Sequence, residues 1–241
     1  MNKLILCEGK VDAILLSYYL ERTCGWTHKN NVKNLDIKIN EANNEYGYWY
    51  NRGDENLLIC GVGGKDNFNT FFKNKIHDAV VHSSAFSRIA VVTDRDNRQI
   101  SSIQKSLKSA FQPIISIIEN NAWTSNTYRN SFGQQIKIDF LMLVIPSDNE
   151  GALETLLLDA ISEDPYDEVI VNKCKMYIDE IEPHAKKYIK NGRLKLKACL
   201  GVALAVQYPE KIFTLIDEQI RSVKWENSDL LEKCFNELKK I

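Results

Sequence analysis

Residues 4–22, LILCEGKVDAILLSYYLER, have the pattern of one strand, one tight turn and one helix in succession. Residues 4–7 are apolar without interruption, which is typical of a strand buried on both faces of a parallel sheet. Gly9 allows a tight turn, and apolar residues repeat at helical spacing from Val11 onwards. The stretch therefore predicts the first β–α unit of an α/β sheet, with an acid, Glu8, at the end of the strand.

The same order of patterns continues along the first two thirds of the chain. Strand-like apolar runs alternate with helical patterns: strands at 57–60, 89–92, 113–118 and 136–145, and helices at about 63–81 and 99–111. Residues 120–135 favour a loop or a β-hairpin. Strands that alternate with helices predict a mostly parallel sheet flanked by helices.

Two segments stand apart from this alternation. Residues 23–56 are rich in Asn, Lys and Glu and hold an aromatic cluster, which predicts an insertion between core elements; its aromatic residues are Tyr46, Tyr48, Trp49 and Tyr50. These rings either stack on bases or, as we favour, pack onto the core and anchor the insertion. After Gly151 the pattern is helical almost to the end. We predict a core at 1–162, with its insertion at about 23–56, and a helical C-terminal region at 163–241.

The composition is that of an ordinary globular protein. The 241 residues are 44% hydrophobic and 26% charged, with a formal net charge of −1, so the chain lacks the overall basic character common among nucleic-acid binders. Its six cysteines include no C-x-x-C pair, which argues against a zinc site. Cys7 and Cys60 lie in strand-like apolar runs, where a reduced cysteine behaves as a small hydrophobic residue, so we expect a reducing, cytoplasmic compartment.

Several classes of protein find no support in the sequence. No apolar run approaches the roughly 20 residues of a membrane helix, and the first run is too short for a signal peptide; we expect no membrane partner. Residues 61–67, GVGGKDN, lack the spacing of a nucleotide-binding P-loop. Neither G-x-S-x-G nor a G-x-G-x-x-G after the first strand occurs, which disfavours an α/β-hydrolase and a nicotinamide enzyme.

Acids follow three of the predicted strands: Glu8, the pair Asp94 and Asp96, and Asp148 with Glu150. In open α/β sheets, sites form outside the carboxyl ends of the strands. If these strands are parallel neighbours, we expect their acids to converge on one patch. Carboxylates that converge repel one another unless a cation holds them, and Mg²⁺ and Mn²⁺ prefer such oxygen ligands.

The local spacing of the acids agrees with a shared patch. Asp94 and Asp96 are expected on one side of an extended segment, with Arg95 pointing away. Glu150 and Glu154 are expected on one face of a helix, and Asp12 lies at the start of the first helix. Each acid also has an ordinary interpretation that stays open: a solvated turn, a helix cap at Asp12 or Asp148, or surface charge.

Taken together, these residues resemble a known domain. E-G-x-x-D at 8–12 after the first strand, followed by D-x-D at 94–96 after a later strand, is similar to the Toprim domain over roughly residues 3–160, apart from the insertion. E-G-x-L-E at 150–154 and the lysine-bearing helix LKLKACLGVALA at 194–205 resemble the OLD-like (overcoming lysogenisation defect) nuclease branch. The resemblance implies a Toprim, Rossmann-like mostly parallel sheet with a helical C-terminal extension.

The resemblance also implies roles for individual residues. Glu8, Asp94 and Asp96 would bind one Mg²⁺ or Mn²⁺ ion, with Glu8 belonging to the catalytic set. Asp12 and Glu154, together with Glu150, would bind or orient a second ion. A lysine would steady charge on the scissile phosphate, and Lys195 and Lys197 both remain candidates for it; each is also explained as a solvated helix charge.

The function that follows is metal-dependent cleavage of phosphodiester bonds in DNA or RNA, with two ions and no organic cofactor. OLD-like proteins commonly work with an ABC-type ATPase, so a separate ATPase partner and a role in antiphage defence are expected. Residues 171–197 hold eight Lys or Arg against three acids and form either a phosphate-binding face or a solvated helix surface. A non-catalytic interaction subunit, a structured-RNA maturase and a homodimer stay open as alternatives.

Overall fold

The computed structural model describes residues 2–29, 35, 37–211 and 216–241. Its centre is one mixed sheet formed by β1 (Asn2–Cys7), β2 (Thr27–Lys29), β3 (Tyr46–Arg52), β4 (Glu55–Gly61), β5 (Phe86–Asp94), β6 (Ala122–Arg129) and β7 (Gln135–Ile145). The strands lie in the order β2-β3-β4-β1-β5-β7-β6. The four central strands are parallel, whereas β2, β3 and β6 run antiparallel to their inner neighbours.

Helices flank this sheet, which confirms the predicted α/β class. They are α1 (Lys10–Cys24), α2 (Phe68–Phe71), α3 (His77–Val81), α4 (Ile100–Ala110), α5 (Leu153–Ile161), α6 (Pro165–Ile181), α7 (Gly192–Gln207), α8 (Ile216–Ser222) and α9 (Asp229–Phe235). A π-helical turn at Phe72–Ile76 joins α2 to α3. Turns of 3₁₀-helix lie at Glu41–Asn43, Lys65–Asn67, Pro209–Lys211, Trp225–Asn227 and Asn236–Lys240.

Side chains of the central strands alternate between two apolar layers. In β1, Ile5 and Cys7 face the layer that contains α1 and α5 to α9, while Leu4 and Leu6 face the layer that contains α2, α3 and α4. All four side chains are fully buried. The strands are continuously apolar in sequence because both faces of the sheet are covered by helices.

The insertion adds strands to the sheet instead of forming a free loop. β2 and β3 extend the sheet beyond β4. Trp49 stacks on Phe86, with ring centroids 6.5 Å apart, and Tyr50 is buried, so these two aromatic residues anchor the insertion as favoured above. Tyr48 is 42% exposed. Residues 30–34 and 36 of the insertion lie outside the described residues.

The strand predicted at 113–118 is wrong. This segment is a partly buried turn and loop, and the edge position of the sheet is taken by β6. The Asn126 side chain makes the hydrogen bonds that a neighbouring strand would otherwise make with this segment. Its Oδ1 accepts from the backbone N–H groups of Ser116 and Ile117, at 2.9 and 2.7 Å, and its Nδ2 donates to the carbonyl of Ile117. Ile114, Ile115 and Ile118 of this apolar run pack into the core, whereas Ile117 is exposed. Periodicity alone cannot distinguish such a run from a strand.

The C-terminal helices pack on the same face of the sheet as α1. Phe235 of α9 lies edge-on to Tyr19 of α1, with ring centroids 5.3 Å apart, and both side chains are buried. The Trp123 indole donates to the carbonyl of Glu237 at 2.9 Å. The boundary at 162/163 stays a prediction. Within the described ranges, no helix has the length and apolar character needed to cross a membrane.

Candidate active site

Four buried carboxylates meet at the carboxyl ends of the parallel strands. β1, β5 and β7 are adjacent in the sheet, and each is followed by residues of this group. A pocket of about 210 Å³ is lined by Glu8, Asp12, Asp94 and Glu154, all of which are buried. The structure therefore brings together four of the six acids that the sequence nominated, and it does so because their strands are parallel neighbours.

Glu8 is held in place by the neighbouring strand. Its Oε1 accepts hydrogen bonds from the Thr93 hydroxyl, at 2.8 Å, and from the Asp94 backbone N–H, at 3.0 Å. Its Oε2 lies 3.5 Å from Nη2 of Arg193. One oxygen of Glu8 is thus held by hydrogen bonds from β5, and the other faces the guanidinium of Arg193.

Asp94 divides its two oxygens in the same way. Oδ1 accepts from the backbone N–H of Leu153 at 2.9 Å, so the carboxylate sits at the N-terminus of α5, where the helix dipole favours negative charge. Oδ2 lies 2.9 Å from Nη2 of Arg193. β5 and α5 are therefore coupled through this one side chain.

Asp12 and Glu154 each stand in the first turn of a helix. Gly9 occupies the N-cap position of α1, so Asp12 is not the N-cap residue; it is the third residue of the helix, and its Oδ2 accepts from the Gly9 N–H at 3.0 Å. Asp12 also lines the pocket. Oε1 of Glu154 lies 3.4 Å from Nζ of Lys197. Oε2 of Glu154 is buried with no hydrogen-bond partner among the described residues, which is unusual for a buried carboxylate oxygen.

The crowding of acids changes their proton affinity. Burial, and then the nearby Glu8 carboxylate, raises the pKa of Asp94 to about 8, although Arg193 opposes the shift. Burial and Glu8 likewise raise the pKa of Asp12 to about 7. Both shifts reflect the free energy needed to keep several negative charges in a small, poorly hydrated space.

Arg193 is a pocket residue that the sequence analysis did not predict. It lies in the first turn of α7, one residue from Gly192, and its guanidinium contacts both Glu8 and Asp94. The signal was present in the basic segment 171–197, but the pattern did not show which cation turns toward the acids. Of the two nominated lysines, Lys197 lines the pocket, whereas Lys195 pairs with Asp179 and Glu182 at 2.7 and 2.6 Å.

The two acids of the D-x-D pair point to different partners. The prediction that they share one side of an extended segment is wrong, because Asp96 adopts a left-handed conformation with φ of 51°. Asp96 pairs with Lys65 and does not line the pocket. Arg95 turns away from the acids, as expected, and its Nη1 donates to the carbonyl of Ser147.

Glu150 also stands apart from the pocket. α5 begins at Leu153, so Glu150 precedes the helix, and the prediction that Glu150 and Glu154 share a helix face is wrong. Glu150 is exposed to solvent. The capping role considered for Asp148 is wrong as well: Ala152 occupies the N-cap position, and Asp148 pairs with Lys233 at 3.1 Å.

The donor set fits a hard divalent cation in its chemistry. The anionic groups that line the pocket are carboxylates, and one of their oxygens, Oε2 of Glu154, is buried without a hydrogen-bond partner in the described part of the chain. Mg²⁺ and Mn²⁺ favour such oxygens. Within the described ranges, no three His, Cys, Asp or Glu side chains are already arranged around an ion position. The pocket-facing oxygens of Glu8 and Asp94 both contact Arg193.

Comparison with known proteins gives a family and no activity. No curated protein matches the chain. Among solved structures, the crystal structure of a hypothetical protein from Pyrococcus horikoshii OT3 is similar at 16% identity and a TM-score of 0.47, over 98% of this chain and 99% of that one. The family model of DUF3226, described as a protein of unknown function, matches residues 2–238. Because the match spans nearly the whole sequence, the chain belongs to the DUF3226 family.

Proposed function

We propose that this protein is a divalent-metal-dependent nuclease of the Toprim type that cleaves phosphodiester bonds in DNA or RNA. One observation carries the proposal: four buried carboxylates, from the turn after β1 and from α1, β5 and α5, line a single pocket at the carboxyl ends of parallel strands; they are Glu8, Asp12, Asp94 and Glu154. Residues with a purely structural role seldom bring several carboxylates together in one buried pocket, because the negative charges repel one another.

The pocket residues divide into two groups by charge. Glu8, Asp12, Asp94 and Glu154 would hold Mg²⁺ or Mn²⁺, and two bound ions would neutralise charge that develops on a phosphodiester as it is cleaved. Arg193 and Lys197 at the rim supply cations suited to phosphate oxygens, and Lys10 also lines the pocket. These basic side chains would position the nucleic-acid backbone over the acids.

The test is cleavage by the purified protein. With Mn²⁺ or Mg²⁺ we expect nicking of plasmid DNA or degradation of RNA, and chelation should abolish it. Glu8→Gln and Asp94→Asn should each lower the rate by about 100-fold or more, in the range seen when one charge-stabilising group is lost. Asp148→Asn is the matched control, because Asp148 is exposed, pairs with Lys233 and does not line the pocket. Undiminished cleavage by both pocket variants would show that the site is wrongly assigned.

A second candidate, a non-catalytic interaction subunit, is favoured by a specific observation. Three of the acids in or near the pocket have a cation from this chain: Asp94 pairs with Arg193, Asp96 with Lys65 and Glu154 with Lys197. In that case the acids hold α7 against the sheet and bind no metal. Titration with Mn²⁺ separates the two functions, since an interaction subunit would show no binding that depends on Asp94.

The wider setting of the activity is part of the same proposal. We propose a cytoplasmic location, since all six cysteines are free and such thiols are usual in reducing compartments. A separate ABC-type ATPase is the proposed partner, with antiphage defence as the role. Co-purification of an ATPase encoded beside this protein would support the partnership, and cleavage restricted to one structured RNA would favour the maturase alternative.

A further inference from the structure

The guanidinium of Arg193 occupies the place between Glu8 and Asp94 that a cation would need. Nη2 lies 2.9 Å from Oδ2 of Asp94 and 3.5 Å from Oε2 of Glu8. The other oxygens of these two acids have fixed partners: Oε1 of Glu8 accepts from Thr93 and from the Asp94 N–H, and Oδ1 of Asp94 accepts from the Leu153 N–H. The oxygens left for a ligand are therefore the two that Arg193 contacts.

Of the side chains of Glu8, Asp94 and Arg193, that of Arg193 is the one that can move away from the pocket. Its side chain is 41% exposed, whereas those of Glu8 and Asp94 are 2% and 1% exposed. It stands in the first turn of α7, where the helix dipole disfavours a positive charge. Hydrogen bonds hold the two acids in place, whereas the guanidinium is partly exposed to solvent and its charge is not stabilised by the dipole of α7.

We propose that Arg193 is an exchangeable counter-ion of the acidic pocket, and that a divalent cation binds to Glu8 and Asp94 only when the guanidinium moves away. The inference rests on the proposed function, in which the pocket takes a metal. The guanidinium lies between these two oxygens and would repel a second cation there, so binding of the metal and docking of Arg193 oppose each other.

Direct measurement of Mn²⁺ binding to the full-length protein tests this exchange. We expect Arg193→Gln to bind Mn²⁺ about fivefold to 100-fold more tightly than the unmodified chain, the usual range for coupling of this kind. Arg193→Lys, which keeps the charge and loses the planar fork, should lie between the two. Lys195→Gln is the matched control: it removes a cation two residues away that pairs with Asp179 and Glu182, and it should leave the affinity unchanged.

The outcomes separate failure of this inference from failure of the proposed function. If Mn²⁺ binds in a manner that depends on Asp94, and both Arg193 variants bind no more tightly than the unmodified chain, the exchange is refuted while the metal site stands. If none of the proteins binds Mn²⁺, both are refuted. Should Arg193→Gln fail to fold without metal, refolding in the presence of Mn²⁺ would support the exchange, and Arg193→Lys still decides the affinity comparison.

Discussion

At the residue scale, the pocket depends on carboxylates whose two oxygens have different partners. Glu8 and Asp94 each give one oxygen to backbone or hydroxyl donors that fix their position, and each turns the other oxygen toward Arg193. Asp96, two residues from Asp94, turns instead to Lys65. Sequence spacing alone treats the acids of D-x-D as equivalent, but their hydrogen-bond partners show that they are not.

The raised pKa values predict how stability changes with pH. In the folded protein the pKa of Asp94 is about 8 and that of Asp12 about 7, whereas an aspartate in the unfolded chain has a pKa near 3.9. The folded state therefore binds more protons, so the stabilising contribution of these groups is complete below about pH 4 and is lost as pH rises through 7 to 8. In metal-free buffer we expect a lower Tm at pH 8.5 than at pH 6.5.

Variants of single acids show whether titration of Asp94 causes the expected fall in Tm between pH 6.5 and pH 8.5. Asp94→Asn keeps an oxygen for the Leu153 N–H but does not titrate, so its Tm should fall less between the two pH values than that of the unmodified chain. Asp148→Asn should fall as much as the unmodified chain, because Asp148 lies at the surface. An equal fall in all three proteins would contradict the assignment to Asp94.

At the element scale, β5 and α5 are joined by a short backbone bridge. The Asp96 N–H donates to the carbonyl of Gly151 at 2.6 Å, and the Gly151 N–H donates to the carbonyl of Asp96 at 2.9 Å. Gly151 has φ of 144°, and a Cβ there would lie 2.5 Å from Oγ1 of Thr155. The glycine of E-G-x-L-E is thus required by sterics, and the bridge brings Glu154 to the pocket.

Replacement of this glycine tests the role of the bridge. Gly151→Ala should lower the free energy of unfolding by about 1 to 3 kcal/mol, because the new methyl group meets Thr155 in a backbone conformation that L-residues avoid. Urea denaturation measures the change. Gly201→Ala is the control: it lies within α7 with open space around an added Cβ, and it should raise stability by about 0.5 to 1 kcal/mol. A Gly151→Ala protein as stable as the parent would contradict the steric argument.

At the scale of the whole molecule, the C-terminal helices complete the layer on one face of the sheet. The apolar cluster of that face includes residues of α1, of the central strands and of α5 to α9. Polar contacts add to it, since Trp123 donates to the carbonyl of Glu237 and Arg52 to that of Ile241. We therefore expect the sheet and the C-terminal helices to unfold together.

Unfolding of a core variant tests this expectation. Phe235 is fully buried against Tyr19, and Phe235→Ala should lower the free energy of unfolding by roughly 3 to 5 kcal/mol, as for other large-to-small changes in a core. Far-UV circular dichroism and tryptophan fluorescence should report one shared transition in both proteins. Two separate transitions would favour independent folding of residues 1–162 and 163–241, the division predicted from the sequence.

The sequence by itself determined the features that depend on neighbouring residues. Uninterrupted apolar runs, a glycine turn and helical spacing defined the β–α units, and the acids at the ends of β1 and β5 were visible as local interruptions of those runs. These predictions succeeded because burial on both faces leaves a short-range pattern. The strand predicted at 113–118 was wrong, because backbone N–H groups of this segment donate to the Asn126 side chain instead of to a neighbouring strand. No local sequence pattern reveals that partner.

Only the tertiary structure decided which charges meet. The order of the strands places Glu8 beside Asp94, the bridge to Gly151 brings in Glu154, and the packing of α7 turns Arg193 and not Lys195 toward the acids. Asp96 and Gly151 are 55 positions apart in the chain, Glu8 and Asp94 are 86 apart, and Glu8 and Arg193 are 185 apart. Charge interactions fall off with distance in space and not with separation in sequence, so the pocket is decided by the folded arrangement of its elements.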